Sequence, residues 1–170
     1  PAIYESISGN IDLLSINWNV NSEEFGLLAA VFGSVFIALG ALLVSFPLGL
    51  GASIYMSELA PERIRAVLKP VIELLAGIPS IVYGFIGAVL LGRFIYVQYG
   101  TLAPNSILAG MLILGIMALP IIVSMSDDAL KSVPKDIKDA SLALGATKWQ
   151  TTKKVTIPSA ISGITSATIM

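Results

Sequence analysis

The chain has 170 residues, 55% of them hydrophobic and 12% charged, with a formal net charge of −1. Soluble domains carry about twice that share of charge, and a balance this close to neutral leaves no basic footprint for nucleic acid. Cysteine and histidine are both absent, which excludes disulfides, histidine acid–base chemistry and the commonest transition-metal ligand.

Lipid is the better solvent for such a chain. A helix needs about 20 apolar residues to cross a hydrocarbon core of roughly 30 Å. Residues 25–57, 74–92, 94–126 and 155–170 contain no Asp, Glu, Lys or Arg. The expected fold class is therefore all-α, a polytopic bundle of transmembrane helices.

Residues 1–25 carry Glu5, Asp12, Glu23 and Glu24 but no Lys or Arg. Basic loops stay in the cytoplasm, so this first segment is expected to be external. Trp18 reads there as an interfacial anchor, with a contact to an external protein as the alternative. Pro1 stands where translation would place Met, and the last stretch ends while still apolar. Both ends read as cuts in a longer protein; a cleaved signal peptide is the alternative at the start.

Residues 26–126 are expected to form three spans, at 26–52, 70–92 and 105–126, with an external turn at 93–103 marked by Tyr96, Tyr99 and Gly100. Gly26, Gly33 and Gly40 recur every seven residues, and Gly77 and Gly84 repeat that spacing. Small residues on one face let helices approach closely in lipid. The face serves either static packing or a path between helices. Pro47, Pro79 and Pro120 bend the spans they occupy. Gly77, Pro79, Ser80 and Pro120 are the candidate pore or hinge residues, with simple shape-fitting as the alternative. Glu73 opens the second span and is expected to pair with Lys69, about one helical turn away. An intramembrane carboxylate handling substrate is the alternative.

Residues 58–69 hold Arg63, Arg65 and Lys69, and residues 127–157 hold six lysines from Lys131 to Lys154; both segments are expected to be cytoplasmic. In the second, Ser132-Val133-Pro134 reads as a helix start, with Ser132 as cap and Pro134 in the first turn. Ile137, Ala140, Ser141 and Leu144 then form one apolar stripe. Gly145 stands where a left-handed helix end favours glycine. Thr147 and Gln150 have capping-box spacing for a second short helix. Lys153 and Lys154 are expected near the headgroups, and residues 158–170, opening at Pro158, begin a fourth span. The stripe could lie on the membrane or in a groove on a partner; its small, Ala-rich surface favours the groove.

Asp139-Ala140-Ser141, three residues, Gly145, nine residues, then Val155-Thr156-Ile157-Pro158 resembles the loop of ATP-driven (ABC) importer permeases. That pattern reads E-A-A, three residues, G, nine residues, I-x-L-P. Asp replaces Glu, Ser the second Ala, Val the Ile and Ile the Leu. The resemblance implies an ABC importer permease fold in which this loop docks on a separate ATP-binding subunit. Carried over, the ATPase-coupling residues are Asp139, Ala140, Ser141, Leu144, Gly145, Ala146 and Pro158. Tyr55-Met56-Ser57-Glu58-Leu59-Ala60-Pro61, the run from Glu73 to Phe85 and Ala143-Leu144-Gly145-Ala146-Thr147-Lys148-Trp149 further resemble the phosphate-specific permease pair. The first member (PstC) is closer than the second (PstA). The resemblance covers roughly residues 15–170 and implies spans two to four and part of the fifth of six. It also implies a PstA-like second permease and an external phosphate-binding protein as partners, besides membrane lipid. The family's substrate-facing charges would lie past Met170, so no substrate-binding residue is assigned.

No G-x-x-x-x-G-K-[ST] loop, metal cluster or nucleophile–base pair is visible. The chain is expected to be a transport subunit rather than an enzyme, with no cofactor of its own, its ATP hydrolysed on the partner. Permeases for sulfate, molybdate or tungstate are the alternatives within the class. A secondary transporter is the alternative outside it, and would require intramembrane charges or inverted repeats. A non-transporting scaffold would leave the loop spacing as coincidence.

Overall fold

Three prolines, Pro61, Pro79 and Pro134, stand where helices begin, whereas Pro47, Pro70 and Pro120 lie inside helices. The computed structural model describes residues 16, 18–19, 24–100 and 107–169. A two-residue antiparallel pair, β1 (Trp18–Asn19) and β2 (Glu24–Phe25), leads into the first long helix. The expected anchoring role of the Trp18 side chain lies outside the described residues. Helix α1 (Leu27–Ile54) runs uninterrupted through Pro47. It widens into a π-helical turn, Tyr55–Leu59, and stops at extended Ala60.

Helix α2 (Glu62–Ala76) follows at once, and α3 (Ser80–Ile86) begins after a three-residue gap. The helix expected to run unbroken over 70–92 is thus interrupted at 77–79. Pro79 has no N–H to donate and pushes Ile78 away from helical geometry, so the helix ends at Gly77. Absence of charge marks this stretch as apolar but says nothing of its continuity. A second π-helical turn (Gly87–Leu91) joins α3 to α4 (Gly92–Tyr99). Tyr96 lies inside that helix; the chain leaves it only at Gly100, in left-handed geometry at φ 61°. Residues 101–106 lie outside the described residues.

Helix α5 (Ile107–Lys131) runs a turn beyond the expected end at 126. Asp127 and Lys131 form an i,i+4 ion pair that keeps this turn helical. Lys69 pairs with Asp128 at 3.5 Å, not with Glu73 as expected; exposed Glu73 stays on α2. Then come α6 (Lys135–Ala143), α7 (Lys148–Thr151), a third π-helical turn (Thr152–Thr156) and α8 (Ile157–Ile169). Three helical segments, Leu27–Leu59, Ser80–Gln98 and Ile107–Lys131, are long and apolar enough to cross a membrane.

The bundle is organised on α5, which packs along α1 and also against α2 and α8. At the basic end Leu130, Val133, Ala160 and Ile164 form a buried core, with Phe46, Leu50 and Ile54 of α1 packed against it. On α1 the buried residues are Ala41, Ser45, Gly49 and Ser53, one every fourth position. Of the expected glycine stripe, Gly40 faces Met111 across the α1–α5 contact, but Gly33 and Gly84 meet nothing within 4 Å. A Cβ on Gly115 would stand 3.3 Å from the Ala41 carbonyl oxygen, a backbone atom that cannot swing aside.

Gly115→Leu is expected to force α1 and α5 apart and to destabilise the full-length protein by about 1–3 kcal/mol. Thermal unfolding in detergent measures this, with Gly33→Leu, which meets no atom of this chain, as the unchanged control.

Candidate coupling surface

Each of three helix starts is built in the same way. Pro61, Pro79 and Pro134 occupy the N-cap positions of α2, α3 and α6, all with extended ψ, at 153°, 137° and 137°. Each denies an N–H to the carbonyl four residues earlier. That carbonyl accepts from the side chain four residues after the proline, and Leu75 accepts from the Ile78 N–H as well. Arg65 Nη2 donates to Ser57 at 2.5 Å, Tyr83 Oη to Leu75 at 2.9 Å, and Lys138 Nζ to Leu130 at 3.3 Å. Arg65 Nε also donates to the Met56 carbonyl at 2.8 Å.

Lys138 has a second partner. Its ammonium lies 2.7 Å from Glu58 Oε1 on the first π-helical turn, and both side chains are largely buried, at 19% and 15% exposure. Ser132, expected as the cap of α6, donates to the Ala129 carbonyl at 2.7 Å instead. Pro134 takes the cap position, and the hydroxyl turns back to α5.

The end of α6 is a Schellman turn. Gly145 N–H donates to Leu142 and Ala146 N–H to Ser141, with Gly145 in left-handed geometry at φ 85°. Thr147 and Gln150 then form the reciprocal capping box their spacing predicts. Ser141 leaves the expected stripe: its hydroxyl lies 3.0 Å from that of buried Thr151, pinning α6 to α7. Ile137, Ala140 and Leu144 stay outside, with Leu144 90% exposed. Leu142 and Trp149 add exposed apolar surface that the stripe did not include. Trp149 is a single aromatic on a one-turn helix, too short for periodicity to assign a face.

Asp139 is exposed and lines a recess with Glu58, Lys138, Leu142, Lys148 and Thr151. Ala146 is half-buried at the turn, and Pro158 is exposed at the start of α8. The pore or hinge candidates are separate from this surface. Gly77, Pro79 and Ser80 form the exposed break before α3, whereas Pro120 is buried within α5. Among the described residues no group of His, Cys, Asp and Glu is placed to hold a metal ion.

Short basic helices thus lie between α5 and α8 in a bundle whose longest helices are apolar. A chain of the MetNI methionine ABC transporter, solved in an inward-facing conformation, shares this fold. The TM-score is 0.72, with 24% identity, over 84% of this chain and 66% of that one. Residues 45–170 match the family described as binding-protein-dependent transport system inner membrane component, and the chain belongs to that family. It is 44% identical to the probable ABC transporter permease protein YqgH of Bacillus subtilis, over 93% of this chain and 52% of that protein. It is 36% identical to the phosphate transport system permease protein PstC of Mesorhizobium japonicum, over 89% and 52%. The chain thus spans about half the length of these relatives. It is a multi-pass inner-membrane protein of the ABC permease family.

Gly145→Ala would place a Cβ in a left-handed backbone at a cost of about 1–2 kcal/mol. Amide exchange in residues 135–151 is expected to quicken while exchange in α5 stays unchanged.

Proposed function

We propose that this chain is part of the permease of an ATP-driven phosphate importer, and that α6 with the Gly145 turn is its docking surface for a separate ATP-binding subunit. The observation that carries the reading is the exposed Ile137, Ala140 and Leu144 face. It sits on a helix with no fully buried residue, where the importer loop pattern falls. An apolar face of this size on a rigidly capped turn suits a shaped protein groove. Asp139 stands beside it as an acidic contact. The basic ends of the helices, with Arg63, Arg65 and Lys153, are cytoplasmic, and the segment before α1 and the connection between α4 and α5 are external. Gly77, Pro79 and Ser80 interrupt a helix that otherwise runs alongside α5; broken membrane helices occur where backbone lines a cavity. They are the candidate pore residues, with Pro120 as a bend within α5.

Phosphate as cargo is supported by the likeness to a protein named PstC and by the motifs at 55–61, 73–85 and 143–149. A PstA-like second permease and an external phosphate-binding protein complete the assembly. Alternating access follows if ATP binding favours one of two states of the pair, and the shift equals the difference in affinity between them.

Uptake of labelled phosphate into vesicles holding the full-length protein and its partner subunits is expected to require ATP and to resist competition by sulfate and molybdate. Uptake of another oxyanion would refute the cargo, and uptake indifferent to ATP would refute the class. Gly145→Arg is expected to leave membrane insertion normal and to reduce ATP-driven uptake by at least about tenfold, the equivalent of 1.4 kcal/mol.

A further inference from the structure

We propose that the Glu58–Lys138 pair is the link through which movement of the docking helix reaches the first span. The inference rests on the docking role of α6 and goes beyond it by naming the residues that receive the motion.

Helix α6 has no fully buried residue, so apolar packing does not fix it to the bundle. Its side-chain hydrogen bonds among the described residues are polar fastenings at two positions. Ser141 ties it forward to Thr151. Lys138 ties it back, to Glu58 at the end of α1 and to the Leu130 carbonyl at the end of α5. One ammonium therefore joins the ends of three helices, and Glu58 lies 80 positions from it in sequence.

The receiving end is built to carry load. Glu58 sits on the π-helical turn Tyr55–Leu59, and such turns are frequent at functional positions in helices. That turn is held by Arg65 at the Met56 and Ser57 carbonyls and by the Ala60 N–H to Tyr55. Met56 within it is 2% exposed. A push on Lys138 thus meets a braced turn continuous with a 28-residue helix. Both charged side chains are mostly shielded from water, so the attraction is weakly screened and separating them is costly. A pair of this kind transmits displacement rather than yielding to it.

A merely structural pair and a transmitting pair differ in what fails. The full-length protein, reconstituted with its partner subunits, is tested as Glu58→Gln, Lys138→Met, the double variant and Lys138→Arg. The readouts are subunit copurification, ATP hydrolysis and phosphate uptake in the same vesicles. Glu58→Gln and Lys138→Met are expected to keep the ATP-binding subunit and its hydrolysis, while uptake per ATP falls at least about tenfold. The double variant should be no worse than either single one, because the two residues act as one unit. Lys138→Arg, which keeps the charge and the donors, should restore most of the ratio. An unchanged uptake-to-hydrolysis ratio in both single variants would overturn the proposal, as would a proportional fall of both activities. If either variant fails to insert, the remaining one and Lys138→Arg decide the matter by the same ratio. Failure of the wild-type protein to retain an ATP-binding subunit would instead refute the docking role itself.

Discussion

A backbone carbonyl that loses its partner is costly wherever the fold shields it from water, so each break at which a proline withholds its N–H has to be closed by another donor of the chain. That constraint explains the recurring arrangement in this bundle: a carbonyl, a proline four residues on, and a donor four residues further. The donors differ, an arginine, a tyrosine and a lysine, because the three sites differ in surroundings. Arg65 closes a widened helix end and has donors enough for two carbonyls. Tyr83 bridges the apolar interruption at Pro79, where a phenol brings a hydrogen bond without a charge. Lys138 stands where a carboxylate is also within reach. The proline lets the chain turn, and the donor fixes the turn in one geometry.

The rest of the architecture follows from those fixed turns. With Arg65 and Lys69 tied to neighbours, α2 is set in rotation about its axis, and its apolar residues Val67, Val71 and Leu74 face away, exposed. With Val133 buried in the core and Lys138 turned inward, α6 is left with its apolar side outward. Apolar burial forms a cluster at the basic end, around Leu130 and Ile164; elsewhere glycines let larger apolar side chains in, Gly40 against Met111, Gly49 against Ile122 and Gly87 against Ile113. In lipid, where burial gives little gain, close approach and satisfied polar groups take over as the organising forces.

Much of this was legible in the sequence. Gaps between charges locate the apolar segments, because the cost of a charge in lipid can be read residue by residue. Gly145 and the Thr147–Gln150 pair could be read since a capping motif is complete within a few residues. The Pro79 break was harder to see. The gap in charge ran straight across it, although Gly77-Ile78-Pro79 carried the local signal. Partners distant in sequence could not be read. Lys69 has Glu73 one turn away and Asp128 far along the chain, and only the packing of α2 on α5 selects the second. The same holds for Ser141, whose place in an apolar stripe gave no hint that Thr151 would draw it inward.

The single row of Ala41, Ser45, Gly49 and Ser53 has a consequence for how α1 tolerates change. Off that row, Phe46, Leu50 and Ile54 pack on the core and Gly40 lies against Met111, whereas Val35, Phe36, Leu39 and Leu43 are exposed, so exchanging one apolar side chain for another at those four positions alters the environment little. On the row, Gly49 has no room for even a modest gain in volume, since it already lies against Ile122. The sensitivity of this helix to added volume should therefore be confined to the side that meets α5 and the core. A core helix of a water-soluble protein would instead show a broad sensitive face.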